Sequence, residues 1–319
     1  MTRDEAFKRL AAAVGKRASL RKTTDAMRLV NGAGDALPGL VLEKYNAHFC
    51  AHVLETAWLK RADWLRDFLS DHFPCEYFIL KDRSACAAST PGAFKVYVIV
   101  DRDGSRTIVR EQGVQFHVDL NDTLNTGLFL DMRANRRLVA GLAKGKRLLN
   151  TFAYTCSFGV HARASGAAAV VNVDISKKVL ERGRANDTLN GLTPASGEFV
   201  RADALCYCER LAKRGERFDV IVLDPPSFAR HEGKTFQVKK DMPRLVEAAL
   251  RVLGPGGYLF VSTNCSALTY ADLAKYVKIA VVSRGLKVKG MRALGQDKDF
   301  PGSGTSKESH LAAALVSFT

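Results

Sequence analysis

The chain has 319 residues, 47% of them hydrophobic, which is enough to bury a sizeable core over one or two domains. It contains no run of about eighteen apolar residues and no signal peptide, so we expect a cytoplasmic protein without a membrane span. The net charge of +15 favours a polyanionic partner, because each phosphate contact releases counterions. The seven cysteines show no metal-ligand spacing, so we expect reduced thiols and no metal.

The first part of the chain predicts a basic helix followed by a small domain. In residues 1–22, Phe7, Leu10 and Val14 recur at helical spacing among seven Lys and Arg residues. This N-terminal helix would lie on the protein body, on a nucleic acid or in solvent. Residues 23–118 predict a small α+β domain that contacts the substrate or serves packing. Its expected elements are a hairpin of Leu37–Tyr45 with His48–Glu55, a helix ending near Ser70, and strands at Glu76–Lys81 and Lys95–Val100.

Residues 119–319 predict a larger domain in which strands alternate with helices. The apolar runs that indicate strands lie at 148–149, 169–173, 198–201, 218–223, 258–263, 287–291 and 310–318. Such alternation is typical of an α/β fold with a seven-stranded, mostly parallel, doubly wound sheet of Rossmann-like type.

Polar residues follow four of these strands. They are Asn150-Thr151, Asp174, Asp203 and Asp224-Pro225-Pro226. In a doubly wound sheet the ligand lies outside the carboxyl ends of the strands, and an acid after the second strand accepts from ribose hydroxyls. The turn after the first strand keeps only Gly159 of the usual glycines and so offers a poor pyrophosphate cradle. A ligand with adenosine and no phosphate, S-adenosylmethionine, fits this pattern better than a nicotinamide cofactor.

Several motifs carry a resemblance to a known family. They are TGLFLDMR (126–133), NTFAYTCSFGVHA (150–162), VDIS (173–176), RANDTLNGL (184–192), RADA (201–204), DPPSF (224–228) and STNCS (262–266). Through them residues 119–319 resemble class I S-adenosylmethionine-dependent methyltransferases, and among these the bacterial 23S ribosomal RNA large-subunit methyltransferases. RLVNGAGDALPGLVLEKY (28–45) resembles the small domain that precedes the catalytic domain in this group. Many relatives begin with an RNA-binding domain of the PUA type, which the short segment before residue 23 does not provide.

The resemblance implies a role for each motif position. Asp174 should hold the ribose, followed by Ile175 and Ser176, while Asp203 and Ala204 should meet the adenine, although Asp203 also reads as a simple helix cap. Phe129 and Arg133 would close the pocket, with a helix N-terminus as the alternative for this segment, and Asp224 and Pro225 would face cofactor and target base. The residues expected to frame the methionine end are Asn150, Thr151, Phe152, Tyr154, Ser157 and Gly159. Cys156 stands where the family has a glycine.

Three target atoms compete. For carbon 5 of cytosine a thiolate must add to the neighbouring ring carbon. The resemblance implies that Cys265 occupies the position of that nucleophile in the cytosine-C5 branch of the family, and Asp224 is the nearest candidate base. Cys265 also reads as a small buried residue. Guanine N7 needs positioning alone, and TGLFLDMR with QDKDFPGSG (296–304) resembles that branch. An exocyclic amine of the target base ranks third as the methylated atom, with Pro226 and Phe228 next to that base.

The segment 229–240 is interpreted as a loop whose Arg230 and Lys234 hold phosphates of single-stranded RNA. We therefore expect an RNA methyltransferase that acts on large-subunit ribosomal RNA, with cytosine C5 ahead of guanine N7. A cofactor-binding but catalytically idle ribosome-assembly factor is the alternative from another class. A homodimer is left open.

Overall fold

The chain forms two compact units in the computed structural model, which describes residues 1–84, 94–122, 125–231, 234–302 and 310–319 and gives only the backbone of 229–231, 234 and 235. Unit 1 comprises Met1–Arg133 and Gln296–Ser309, and unit 2 comprises Ala134–Gly295 and His310–Thr319. This division differs from the boundary that the sequence suggested after residue 118. The guanidinium of the buried Arg133 donates to both carboxylate oxygens of Asp299 at 3.0 and 2.9 Å, which ties the late segment that contains Asp299 to the end of the first segment within unit 1.

Unit 1 is a five-stranded sheet with two helices and a separate hairpin. Its elements are α1 (Arg3–Lys16), β1 (Ala26–Asn31), β2 (Leu40–Tyr45), β3 (His48–Val53), α2 (Ala62–His72), β4 (Tyr77–Asp82), β5 (Lys95–Asp101), β6 (Arg106–Glu111) and β7 (Val114–Asp119). The sheet runs β1-β2-β3-β4-β5 with only β3 and β4 parallel, and β6 pairs with β7. Helix α1 begins after Thr2, whose hydroxyl accepts from the Glu5 amide at 3.3 Å. Leu10 and Ala13 of α1 pack into the core of this unit, so the basic helix is part of its fold.

Unit 2 contains the large sheet. Its elements are α3 (Arg133–Ala143), β8 (Arg147–Thr151), α4 (Ser157–Ala164), β9 (Ala169–Asp174), α5 (Lys177–Leu189), β10 (Phe199–Arg201), α6 (Ala204–Lys213), β11 (Phe218–Leu223), β12 (Phe228–His231), β13 (Lys234–Gln237), α7 (Val238–Leu250), β14 (Leu253–Thr263), α8 (Tyr270–Arg284), β15 (Val288–Leu294) and β16 (Ala312–Phe318).

The large sheet confirms the predicted seven-stranded, mostly parallel α/β fold. Its strand order is β10-β9-β8-β11-β14-β16-β15, and β16 runs antiparallel to both of its neighbours. The central strands are continuous apolar runs such as Val220–Leu223, in which every residue is buried, because helices cover both faces of a parallel sheet. The order reverses between β8 and β11, and in doubly wound sheets the ligand binds at the carboxyl ends of the strands at this switch point.

The interpretation of residues 229–240 as a loop is wrong. The segment folds into the β12–β13 hairpin and continues into α7, with Phe228 opposite Gln237 and Ala229 opposite Phe236. The ring of Phe236 lies 5.6 Å from the ring of Phe152, between centroids, and this contact anchors the hairpin on the loop after β8. Among the described residues, the helices are all too short or too polar to cross a lipid bilayer.

Candidate active site

The loop between β8 and α4 has an unusual backbone. Phe152, Tyr154 and Cys156 have φ values of 53°, 50° and 62°, a left-handed conformation that costs a non-glycine residue roughly 1–2 kcal/mol. Three hydrogen bonds hold the loop: Ala153 N to Val173 O at 3.0 Å, Tyr154 N to Asp174 Oδ2 at 2.9 Å, and Cys156 N to Ala153 O at 2.7 Å. Strain of this kind is found at ligand-binding sites, where the surrounding structure over-determines the backbone.

Asp174, at the end of β9, has the properties of a ligand-binding acid. The amides of Tyr154 and Ser176 each donate to one of its carboxylate oxygens at 2.9 Å, which fixes the orientation of the side chain. Burial raises the pKa of Asp174, and the backbone amides that donate to it only partly offset this effect. Within the described residues it has no cation or side-chain donor, and its carboxylate keeps acceptor capacity for an incoming hydroxyl beyond the backbone amides that donate to it. These features fit the ribose of S-adenosylmethionine.

Three residues expected to frame the cofactor, Asn150, Thr151 and Gly159, make close contacts with residues of the sheet. Asn150 Nδ2 donates to Asn172 Oδ1 at 2.8 Å, and Thr151 Oγ1 donates to the Val222 carbonyl at 2.7 Å. A Cβ added at Gly159 would lie 2.1 Å from Asn172 Oδ1, so α4 can approach β9 only with glycine at this position. Direct contacts of these residues with a cofactor stay a prediction.

Two further positions of the edge are helix caps. Asp203 accepts from the Cys206 amide at 2.9 Å and begins α6, and Ser176 accepts from the Val179 amide at 3.5 Å and begins α5. The cap that the sequence offered as the alternative for Asp203 is therefore real. The exposed carboxylate of Asp203 has lone pairs beyond the one that caps the helix, so a second role toward the adenine is compatible with it. Ala204 beside it is buried.

The ends of β11 and β14 are joined by side-chain hydrogen bonds. Ser262 Oγ, fully buried, donates to Asp224 Oδ1 at 2.7 Å, and Ser227 Oγ donates to Asn264 Oδ1 at 2.8 Å. Cys265 follows directly; it is half-buried, and its amide donates to Thr263 Oγ1 at 3.1 Å. The two strands thus bring Asp224 and Cys265 to one stretch of the edge. The sequence offered no signal for Ser262 beyond its place in STNCS.

The other predicted site residues are more scattered. Phe129 and Arg133 belong to unit 1, where the guanidinium of Arg133 also donates to the Ala26 carbonyl at 2.8 Å. Its partner Asp299 was missed by sequence reasoning, since the two residues are 166 positions apart.

The predicted site residues of unit 2 differ in exposure. Half-buried are Phe152, Tyr154, Ile175 and Ser157, whereas Pro225 is buried and Pro226 and Phe228 are exposed. Arg230 and Lys234 lie on β12 and β13, and their side chains are outside the described residues. In the described part of the chain, no three His, Cys, Asp or Glu side chains are grouped to hold a metal ion.

Comparison with known proteins agrees with this geometry. Residues 101–282 match the model of the S-adenosylmethionine-dependent methyltransferase family. The chain is 34% identical over 280 residues to ribosomal RNA large subunit methyltransferase I of Aeromonas hydrophila, covering 86% of this chain and 70% of that protein. It is 32% identical over 285 residues to the ribosomal RNA large subunit methyltransferase of Deinococcus radiodurans, with the same coverage of 86% and 70%.

A solved structure agrees over the whole chain. SMU.776, described as a methyltransferase and crystallised in complex with SAH, superimposes with a TM-score of 0.87 at 25% identity, covering 99% of this chain and 82% of that one. The family match spans more than half of the chain, and the relatives above exceed 30% identity over most of both sequences. The chain therefore belongs to the S-adenosylmethionine-dependent methyltransferases, in the family of the ribosomal RNA large subunit methyltransferases.

Proposed function

We propose that this enzyme transfers a methyl group from S-adenosylmethionine to carbon 5 of a cytosine in large-subunit ribosomal RNA. The observation that carries the proposal is the placement of Cys265 and Asp224 at the ends of two paired strands, β14 and β11, on the edge that also presents Asp174. The printed names of the relatives supply the substrate class, and the net charge of +15 suits an RNA.

The cofactor supplies an electrophilic methyl group, and this chain supplies the contacts that would orient it. Asp174 is held by backbone amides, among them those of Tyr154 and Ser176, and offers its remaining acceptor capacity to the ribose hydroxyls. Asp203 and Ala204 follow β10 at the neighbouring position of the edge, suited to the adenine. The loop of Phe152–Cys156 turns back onto β9, which leaves the switch point between β8 and β11 for the methionine end.

Carbon 5 of cytosine is not nucleophilic unless the ring is first activated. In the proposed reaction the Cys265 thiolate adds to carbon 6, and the electron pair of the C5–C6 double bond would form the new bond from carbon 5 to the methyl carbon as the bond from that carbon to the sulfonium sulfur breaks, with S-adenosylhomocysteine as the leaving group. Asp224 accepts the proton that carbon 5 must lose. The electron pair of the broken bond between carbon 5 and hydrogen restores the double bond and expels the Cys265 thiolate. Asp224 then loses its proton to solvent, which returns the enzyme to its starting state.

The hydrogen bonds around Asp224 support its role as the base. Ser262 fixes one carboxylate oxygen from the neighbouring strand, and the bond between Ser227 and Asn264 joins the two loops that carry Asp224 and Cys265. A general base must be held within hydrogen-bond reach of the proton it removes. The exposed Phe228 at the start of β12 offers a ring on which an unstacked base can rest.

The proposal is tested with RNA that contains 5-fluorocytidine, because a base cannot remove fluorine from carbon 5 as it removes hydrogen, and the covalent adduct is therefore trapped. Wild-type enzyme with S-adenosylmethionine should form a protein–RNA complex that survives denaturation, and Cys265→Ala should form none. Cys265→Ala with full methyl transfer to deproteinised 23S ribosomal RNA would exclude the covalent route and favour guanine N7, which needs no nucleophile. Calorimetry of S-adenosylhomocysteine binding to the variant shows whether the variant is folded.

A further inference from the structure

A groove lined by cations lies at the opposite edge of the large sheet. Lys213, Arg217, Arg251 and Arg284 line a concavity of about 360 Å³, and the three arginines continue along an adjoining concavity of about 240 Å³. We call these four residues and the two concavities the basic groove. All four side chains are exposed.

The fold explains why the cations meet. Lys213 ends α6, Arg251 follows α7 and Arg284 ends α8, while Arg217 stands directly before β11. In a doubly wound sheet the helices return antiparallel to the strands, so their C-termini gather at the edge where the strands begin. The groove is therefore on the side of unit 2 opposite to Asp174, Asp224 and Cys265.

The positive charge exceeds what the helix ends require. A cation at a helix C-terminus offsets a dipole end of roughly −0.5 charge, so three helices account for about −1.5. Arg251 is paired with Glu247 at 2.6 Å, and Glu209 at the rim is paired with Arg244 at 2.8 Å. Within the described residues no acid pairs with Lys213, Arg217 or Arg284, which leaves a surplus of about +1.5 charge by the same count.

The shape and chemistry of the groove suit a phosphate backbone. One arginine guanidinium group can donate to two phosphate oxygens at once and is weakly hydrated. Three of the four cations of the groove are arginines. The adjoining concavity has an apolar wall that includes Leu253, Pro255 and Phe318, against which a ribose or base can rest.

We propose that the basic groove is a second RNA-binding site, which holds phosphates of the substrate strand far from the nucleotide that reacts. This inference rests on the proposed RNA substrate. The six residues of β11 lie between Arg217 and Asp224, so the two positions are about 23 Å apart at roughly 3.3 Å for each of the seven steps. No single nucleotide reaches both edges, so the groove contributes only to long RNA that passes over the domain.

The test is the double charge reversal R217E/R284E, compared with K275E/K278E. The control changes two exposed lysines of α8 that do not line the groove and alters the net charge equally. Affinity for deproteinised 23S ribosomal RNA is measured at increasing salt. Each lost phosphate contact lowers the slope of log K against log salt by about 0.7–0.9, so R217E/R284E should reduce it by about 1–2 and the control by less.

Methyl transfer separates this proposal from the proposed function. R217E/R284E should raise KM for 23S ribosomal RNA and leave kcat at the wild-type value. For a short single-stranded fragment that carries the target nucleotide, KM should also stay at the wild-type value. An unchanged salt slope in R217E/R284E, or an equal reduction of the slope in K275E/K278E, would contradict RNA binding by the basic groove. Neither result would affect the proposed methylation by the wild-type enzyme. A wild-type enzyme that binds RNA through the groove but methylates none would instead remove the proposed function.

Discussion

Cys156 Sγ occupies the space that Gly183 leaves open in α5. A Cβ added at Gly183 would lie 2.4 Å from this sulfur and 2.9 Å from Cys156 Cβ. Cys156 is fully buried and packs between the loop after β8 and α5. Its side chain is thus accommodated by a glycine 27 positions later.

Gly183→Ala should destabilise the protein by about 1–2 kcal/mol, because overpacking costs roughly 1–3 kcal/mol and the gain in helix propensity returns up to about 1 kcal/mol. In a Cys156→Gly background the same change should be neutral or stabilising, since the obstructing sulfur is gone. Urea unfolding of the four members of this double-mutant cycle measures the coupling. An equal cost of Gly183→Ala in both backgrounds would contradict the packing described above.

Asp174→Asn should raise the Kd for S-adenosylhomocysteine about 10- to 100-fold, because a hydrogen bond to a charged group contributes about 1.5–3 kcal/mol. Titration calorimetry measures the loss. Asp203→Asn is the matched control, since asparagine caps a helix as well as aspartate and keeps one acceptor. A larger loss in Asp203→Asn than in Asp174→Asn would reverse the assigned roles.

Cofactor affinity should also depend on pH through Asp174. Burial raises the pKa of this carboxyl, and only the ionised form offers all its lone pairs to the ribose. Affinity should therefore fall as the pH drops through the raised pKa, at a higher pH than an exposed aspartate would produce. In Asp174→Asn this part of the pH dependence should vanish, and its persistence would show that another group titrates.

Ser262→Ala should lower kcat about tenfold without changing the Kd for S-adenosylhomocysteine, because loss of a fixed orientation for a reacting group costs rate rather than binding. Single-turnover methylation of 23S ribosomal RNA measures the effect. Ser227→Ala removes the exposed hydrogen bond to Asn264 and should cost less. Equal kcat for Ser262→Ala and wild type would show that the Ser262–Asp224 bond does not position the base.

Unit 1 should lose stability at alkaline pH. Burial would lower the pKa of His52, but the neighbouring Cys50 and the hydrogen-bonded Glu43 carboxylate raise it to about 9. A raised histidine pKa stabilises the fold fully below its unfolded value near 6.5, and this contribution of up to about 3 kcal/mol disappears as the pH rises through about 9. Thermal melts of wild type and His52→Gln between these values check the prediction, since the variant should lack this decline.

The large sheet could be predicted from sequence because its signals are local. Buried parallel strands are continuous apolar runs, and the expected strand Phe218–Leu223 agrees with β11 residue for residue. β1 was missed because its pairing with β2 is irregular between Arg28 and Val30, which breaks the alternation. The β12–β13 hairpin was missed because its stabilising contact, Phe236 on Phe152, joins distant positions.

The sequence predicts the acidic residues of the candidate site but not the hydrogen bonds that hold them in place. Asp174, Asp203 and Asp224 stand at strand ends, and that placement can be read directly from the sequence. The hydrogen bond from Ser262 to Asp224 depends on the register of β11 against β14, and the hydrogen bond from Asn150 to Asn172 depends on that of β8 against β9. The pairing of Arg133 with Asp299 depends on tertiary structure alone, so no spacing in the sequence reveals it.

The most direct test is transfer of labelled methyl groups to deproteinised 23S ribosomal RNA from a strain that lacks this protein, followed by identification of the labelled nucleoside. The wild-type enzyme should place the label in 5-methylcytidine, and Cys265→Ala should place none. Label in 7-methylguanosine or in a base methylated on an exocyclic amine, or no label in RNA at all, would contradict the proposed function.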